Sequence, residues 1–365
     1  MKALVKVAPG PAMMQLQDMP EPTVRPGHAV IEVKAAGICG TDLHIQAGEY
    51  PVNPPVILGH EFSGVVVDTA ADASGDWLGQ RVTAIVYFVT CGTCRFCSTG
   101  QWNLCPQRKS VGSGVHGAFA RYVLVPARNL RRLPDNVDFI AGAVTEPLAC
   151  CTHGVLEKAV VRPGDVALVT GPGAIGLLTS QIALAQGGRV VLAGTPGDQA
   201  RLELAQQLGV SYTTTSSPLE LLQDLTNGEG ADIVFECSGA AAAARLGLAA
   251  VRRAGQFIQL GLFGRPVEID WDQAVTKEVD LKHSFASTWQ SWEYALRLLG
   301  SGQVQTRPLV SDVLPLNEWE NAFHRFRNRQ GTKFILTPDE SSGAHRLKYP
   351  QVDLLPADHG SAGSR

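Results

Sequence analysis

The sequence predicts an α/β protein with a doubly wound parallel sheet, joined to a second domain. Three observations carry this reading. From residue 166 onward, short apolar strand runs alternate with helix-like segments. A G-x-G-x-x-G pattern falls between the first of those strands and the first of those helices. The chain has 365 residues, a length that points to two domains and not one.

The first strand, Val166 to Thr170, opens "GDVALVTGPGAIGLLTSQIALAQGGRVVLAG". Gly171, Gly173 and Gly176 follow, then an apolar helix to about Gln186 and a second strand, Val190 to Ala193. In a dinucleotide-binding unit the first glycine makes the tight turn and the second lets the backbone approach a pyrophosphate. The third lets helix and strand pack closely, and the helix N-terminus favours the negative charge. Ala174 and Ile175 lie between the glycines and belong to the same candidate cofactor turn. The alternation continues through "DQARLELAQQLG", "ADIVFECSG", an Ala-rich helix, "GQFIQLG" and "VDLKHSF". Gly261 and Phe285, at the ends of the last two runs, complete the candidate contacts along the strand ends.

One element departs from the NAD pattern. The second strand ends in Gly194 and Thr195, where an acidic residue usually holds the adenosine ribose. Without that carboxylate a 2′-phosphate is not repelled, and Thr195 and Arg201 could help to hold one. Asp198 stands in the same loop and could take the NAD role instead. The expectation is a nicotinamide cofactor, NAD or NADP, with NADP at least tolerated.

"CGTCRFCSTGQWNLC" places Cys91, Cys94, Cys97 and Cys105 in the spacing C-x2-C-x2-C-x7-C. Four thiolates on one short loop can surround a tetrahedral Zn²⁺, with Gly92 and Gly100 where the chain must curl. An iron–sulfur cluster uses the same four donors. A thioredoxin-like pair fits less well, because it needs one C-x-x-C opening a helix. Four protein ligands leave no open position, so a zinc here is structural.

A second set of donors lies at Cys39 in "AAGICGTDLH", at His60 and Glu61 in "LGHEFSGVV", and at Glu146 in "VTEPLACCTHG". Taken singly, these residues have ordinary readings: a buried small thiol, a core histidine, surface charges. Thiolate, imidazole and carboxylate together form a zinc donor set, in which a carboxylate either ligates or orients the histidine.

Composition excludes several classes. Hydrophobic residues make up 45% and charged residues 18%, ordinary for a globular protein. A net charge of −3 and a pI near 6.3 give no reason to expect nucleic acid or an anionic membrane as partner. No secretory pattern or membrane-length apolar run is present, so a cytoplasmic location is expected. Eight cysteines are too few for a disulfide scaffold at this length.

In this order, "GICGTDLH", "GHEFSG", the four-cysteine lobe, "EPLA" and the glycine turn resemble the zinc-dependent medium-chain alcohol and polyol dehydrogenases. The resemblance runs to the closing "GTKFILTP" at residue 338, and "EP" is most similar to the sorbitol and polyol branch. It implies a GroES-like β-rich catalytic domain over residues 1–150 carrying the zinc lobe at 91–105, and a Rossmann domain over 151–290. Residues 291–338 would return to the catalytic domain, and 339–365 would form a flexible tail without function.

The resemblance also implies two zinc ions per chain, the catalytic one held by Cys39, His60 and either Glu61 or Glu146. Thr41 and His44 match the family's proton relay, Glu61 is counted with them as a catalytic residue, and the carboxylate not ligating zinc would sit close by or coordinate through water. A homodimer or homotetramer is expected by analogy, with a small-molecule alcohol or carbonyl compound as substrate. Sorbitol dehydrogenases carry an arginine and a tyrosine that contact substrate hydroxyls; in "LKHSFASTWQSW", Ala286 and Ser287 stand there instead. The expected substrate is therefore a secondary alcohol of a polyol, sugar or related hydroxy compound. Two alternatives compete with it. A zinc-free medium-chain reductase of alkenes or quinones shares the nucleotide half but needs no Cys39, His60 or carboxylates. A non-catalytic zinc- and nucleotide-binding module needs no relay at Thr41 and His44.

Overall fold

The structure, a computed structural model, describes residues 1–338 apart from Ser74, so the expected tail at 339–365 lies outside the described residues. Six parallel strands form the nucleotide-type sheet: β1 (Val166–Thr170), β2 (Arg189–Ala193), β3 (Tyr212–Thr214), β4 (Ala231–Glu236), β5 (Val251–Gln259) and β6 (Asp280–His283). Their order across the sheet is β3-β2-β1-β4-β5-β6. Every residue of β1 is buried, as expected for a central parallel strand covered on both faces. The chain leaves β1 in one direction and β4 in the other. That reversal opens a crevice at the carboxyl ends of the two strands, where open α/β sheets bind ligands.

The other architecture is mostly antiparallel. Strands His28–Gly37, Glu61–Thr69, Arg81–Ala84, Leu130–Arg132, Lys333–Thr337, Val310–Pro315 and Tyr122–Pro126 make one seven-stranded sheet. Lys2–Lys6, Met14–Asp18 and Val56–Ile57 make a smaller one. The register of the large sheet positions the chemistry. Gly37 pairs with Glu61 on one side and with Ile335 on the other. The ends of three distant segments therefore meet at one point. Gly37 has no side chain for a physical reason: a Cβ there would lie 2.3 Å from Glu61 Oε2.

Two helices cross the boundaries expected from sequence. Thr145–Thr152 spans the 150/151 junction, and Trp289–Gly300 spans 290/291. The two helices pack on each other, and Thr152 Oγ1 donates to the Ser291 carbonyl at 2.7 Å. Continuous hydrophobic packing thus runs between the two sheets.

Candidate active site

Cys39 follows the strand that ends at Gly37 and precedes the helix Gly40–Ala47, while His60 immediately precedes the strand that begins at Glu61. Antiparallel pairing of those two strands brings the three side chains together. One donor atom from each of Cys39, His60 and Glu61 lies within 4.8 Å of the others. A soft thiolate, an imidazole and a carboxylate at that spacing suit zinc.

Two residues that sequence reasoning missed support this cluster. Asp42, fully buried, accepts the Cys39 backbone N–H at 2.9 Å through Oδ2, and its Oδ1 stands 3.8 Å from His60 Nδ1. Oδ1 has no hydrogen-bond partner among the described residues. A metal-binding histidine is commonly oriented by such a carboxylate on its second nitrogen. Lys333, on the returning strand, donates to both oxygens of Glu61 at 2.8 Å and to the Ile38 carbonyl at 3.0 Å. Asp42 could have been suspected from its place in "GTDLH"; Lys333 offers only a lysine in a strand pattern.

The electrostatics follow from burial. Loss of solvent opposes charge on His60, but the Asp42 carboxylate and then Cys39 outweigh it, so its pKa stands well above the ordinary value. Burial pushes Asp42 up despite His60, and pushes Glu146 up despite His60 as well. Burial also disfavours charge on Lys333, and Glu61 reverses the effect. Glu146 sits in the helix Thr145–Thr152, outside the three-donor set, but its charge acts on His60 and Glu61. Cys150, one turn further on, donates to Glu146 Oε1 at 3.6 Å.

Thr41 and His44 lie three positions apart on the helix Gly40–Ala47, and so share a face. Thr41 is half-buried, whereas His44 is exposed with Nδ1 2.7 Å from Glu49 Oε2.

The four lobe cysteines come together without forming a disulfide. Cys91 and Cys97 sulfurs are 3.8 Å apart, and those of Cys91 and Cys105 are 3.7 Å apart. A tetrahedral site with Zn–S of about 2.3 Å has S···S edges of about 3.8 Å. Backbone N–H groups of Cys94, Cys97 and Cys91 point at the sulfurs of Cys91, Cys94 and Cys105. Gly92 and Gly100 take φ of 73° and 74°, the left-handed turns that such a loop requires. The donor set fits a closed metal site.

At the crevice, a cleft of about 410 Å³ is lined by Gly171, Gly173, Gly194, Thr195, Arg201 and, unforeseen, Arg329. A Cβ on Gly173 would meet no atom within 4 Å, so that backbone faces open space, as a pyrophosphate contact requires. A Cβ on Gly176 would lie 1.9 Å from the Gly171 carbonyl oxygen, so the helix Ala174–Ala185 can approach its turn only with glycine there. Ala174 and Ile175 open that helix beside the lining. Gly261 lies against the Gly239 backbone and Glu236 at the ends of β4 and β5.

Phe285 packs against the four-cysteine lobe and Arg108. It is absent from the cleft lining; its ring lies 5.0 Å from the Arg108 guanidinium, and its carbonyl accepts from Asn103 at 2.9 Å. Ser287, where a substrate donor would stand in a sorbitol enzyme, is fully buried. It is enclosed by Tyr87 and by Trp292, whose Nε1 donates to Ser287 Oγ at 3.0 Å.

Residues 25–135 match the alcohol dehydrogenase GroES-like domain, and residues 174–301 match the zinc-binding dehydrogenase family. A sorbitol dehydrogenase of Halalkalibacterium halodurans is 41% identical, over 93% of this chain and 99% of its own. A D-arabitol-phosphate dehydrogenase of Enterococcus avium is 36% identical over 93% of this chain and 99% of its own. Among solved structures, a zinc-binding dehydrogenase of Sinorhizobium meliloti bound to NADP superposes with a TM-score of 0.84. It is 29% identical and covers 92% of this chain and 99% of its own.

Proposed function

We propose site roles and a substrate class from one premise: the chain belongs to the zinc-dependent medium-chain alcohol and polyol dehydrogenases. It is thus an oxidoreductase that moves a hydride between a secondary alcohol and NAD or NADP. The observation that carries the site assignment is the convergence of Cys39, His60 and Glu61 within 4.8 Å. A zinc-free reductase has no need of that set.

Cys39, His60 and Glu61 would hold the catalytic zinc, with Glu146 beside it. Zinc bound there supplies a Lewis acid that lowers the pKa of an alcohol hydroxyl. The dinucleotide takes up the hydride when bound along the glycine turn. The chain's own groups position and relay. Asp42, 3.8 Å from His60 Nδ1, would orient that ring by its charge, and Lys333 holds Glu61 by hydrogen bonds. Thr41 stands at the inner end of a proton path and exposed His44, paired to Glu49, at the water end. Cys91, Cys94, Cys97 and Cys105 would hold a second, structural zinc.

Related enzymes named for sorbitol and D-arabitol phosphate support a polyol, sugar or related hydroxy compound as substrate. Burial of Ser287 and the small Ala286 leave few donors for a long free polyol, which disfavours sorbitol itself. A cytoplasmic homo-oligomer follows by analogy with the family. Among the described residues, no helix is long and apolar enough to cross a membrane.

The test is a panel of polyols, sugars, sugar phosphates and simple secondary alcohols, followed by nicotinamide absorbance with each cofactor. Turnover confined to secondary alcohols is expected. Turnover only of activated alkenes or quinones would overturn the reading.

A further inference from the structure

We propose that Arg329 is the cationic partner of a 2′-phosphate on the adenosine ribose, so that the cleft selects NADP over NAD. The inference rests on the cofactor reading above and assigns a role that the glycine turn and the β2 loop do not supply alone.

The acid in the cleft lining is spent on the protein. Asp198 accepts the Thr195 N–H at 3.0 Å and the Thr195 hydroxyl at 2.7 Å through Oδ2, and Arg201 Nη1 at 3.1 Å through Oδ1. Its side chain is only 6% exposed. A carboxylate so enclosed cannot also accept two ribose hydroxyls, so the NAD role open to Asp198 in the sequence is closed by the fold. Arg201 is spent as well. Its other terminal nitrogen donates to the Gly331 carbonyl at 2.6 Å, fixing the β2 loop to the returning segment.

Arg329 differs from both. It lines the same cleft from a separate segment, the turn after the helix Trp319–Arg327. Its side chain makes no hydrogen bond or ion pair among the described residues, and it is exposed. The backbone holds it in place at φ 56°, by Arg329 N–H to the Phe326 carbonyl at 3.1 Å and Gln330 N–H to the Arg325 carbonyl at 2.9 Å. Its charge is felt by both Asp198 and Arg201, so the three groups share one corner. Two guanidiniums held near each other with a single buried carboxylate leave a net positive spot beside Gly194. Gly194 stands where an NAD enzyme carries its acid, and a Cβ there would lie 3.0 Å from Pro172 and 3.1 Å from Asp198, so no carboxylate side chain occupies that position. A dianionic phosphate is the ligand that such a spot favours, and a guanidinium fork binds it through charge-assisted hydrogen bonds.

The test titrates NADPH and NADH separately by fluorescence, without substrate, into the full chain and into Arg329→Ala and Arg329→Lys. 2′,5′-ADP and 5′-AMP serve as competing probes. Alanine shares the Cβ of arginine, so the left-handed backbone costs the same. The parent should bind NADPH more tightly, and 2′,5′-ADP should compete better than 5′-AMP. In Arg329→Ala the ratio of NADPH to NADH affinity should fall by about 10- to 100-fold, with partial recovery in Arg329→Lys. Equal weakening of both dinucleotides, or a parent that prefers NADH, would overturn the assignment of Arg329 while leaving the dehydrogenase reading intact. Failure of both dinucleotides to bind the parent would sink the cofactor reading and this inference together.

Discussion

Lys333 Nζ lies 2.8 Å from both carboxylate oxygens of Glu61, with the two side chains 3% and 1% exposed. They are 272 positions apart in the chain, and the sheet register alone brings them together. Glu61 thus has one resident cation and stands beside the donors of a second. Removing one member of a buried pair leaves an uncompensated charge, at a cost of about 3–5 kcal/mol. Lys333→Ala should therefore lose much more stability than the parent when zinc is stripped, and zinc should restore the variant more than the parent. Melting temperatures with and without chelator check this; equal chelator effects would contradict it.

Asp42 and His60 give a second prediction. A carboxylate that orients a metal-binding histidine contributes about 10- to 100-fold in metal affinity. Asp42→Asn should keep the N–H acceptor for Cys39 but weaken zinc binding at this site by that factor. Competition with a chromophoric chelator measures it. Unchanged affinity would mean that Asp42 is only a helix cap.

The four-cysteine lobe docks on the segment leading into the helix Trp289–Gly300. Trp102 packs edge-on against Trp289 at 5.5 Å, Asn103 donates to the Phe285 carbonyl, and Arg108 lies over Phe285 and Tyr87. Cys97→Ser should lower the melting temperature by several degrees and raise protease sensitivity around residues 91–105. Turnover should survive below the melting transition. Full stability with abolished turnover would contradict a structural role for the lobe.

Asp198 supplies a pH prediction. Burial raises its pKa, but hydrogen bonds from the Thr195 backbone and hydroxyl, and the Arg201 charge, outweigh burial and hold it below the usual carboxylate range. The folded state then binds the proton less readily than the unfolded chain. This contribution is fully present above the unfolded pKa of about 3.9, and is lost as pH falls below it through the folded value. Asp198→Asn should flatten part of the acid limb of stability and leave the neutral limb's slope alone. Denaturant midpoints from pH 3 to pH 7 check it, and an unchanged acid limb would contradict it.

The parts legible in the sequence were the local ones. The glycine turn and the four-cysteine loop act through neighbours within a few residues, so their spacing carries their geometry. The set of Cys39, His60 and Glu61 was legible because the motifs around them are short and ordered. Asp42 and Lys333 were not, because their meaning depends on strand register between distant segments. Phe285 enters the candidate set from its place after the last strand; its ring contact with Arg108, far off in the chain, is a long-range pairing that no local pattern displays. Arg201 lines the cleft as expected, but its donors are taken by Asp198 and Gly331, a competition that no linear pattern displays.

The central claim is that Cys39, His60 and Glu61 hold a reacting zinc distinct from the one in the lobe. Zinc content and turnover measured together on the parent and on Cys39→Ser test it most directly. The account predicts two zinc ions per chain in the parent, and one in the variant with turnover lost and the fold retained. A variant that keeps normal turnover with one zinc would contradict it.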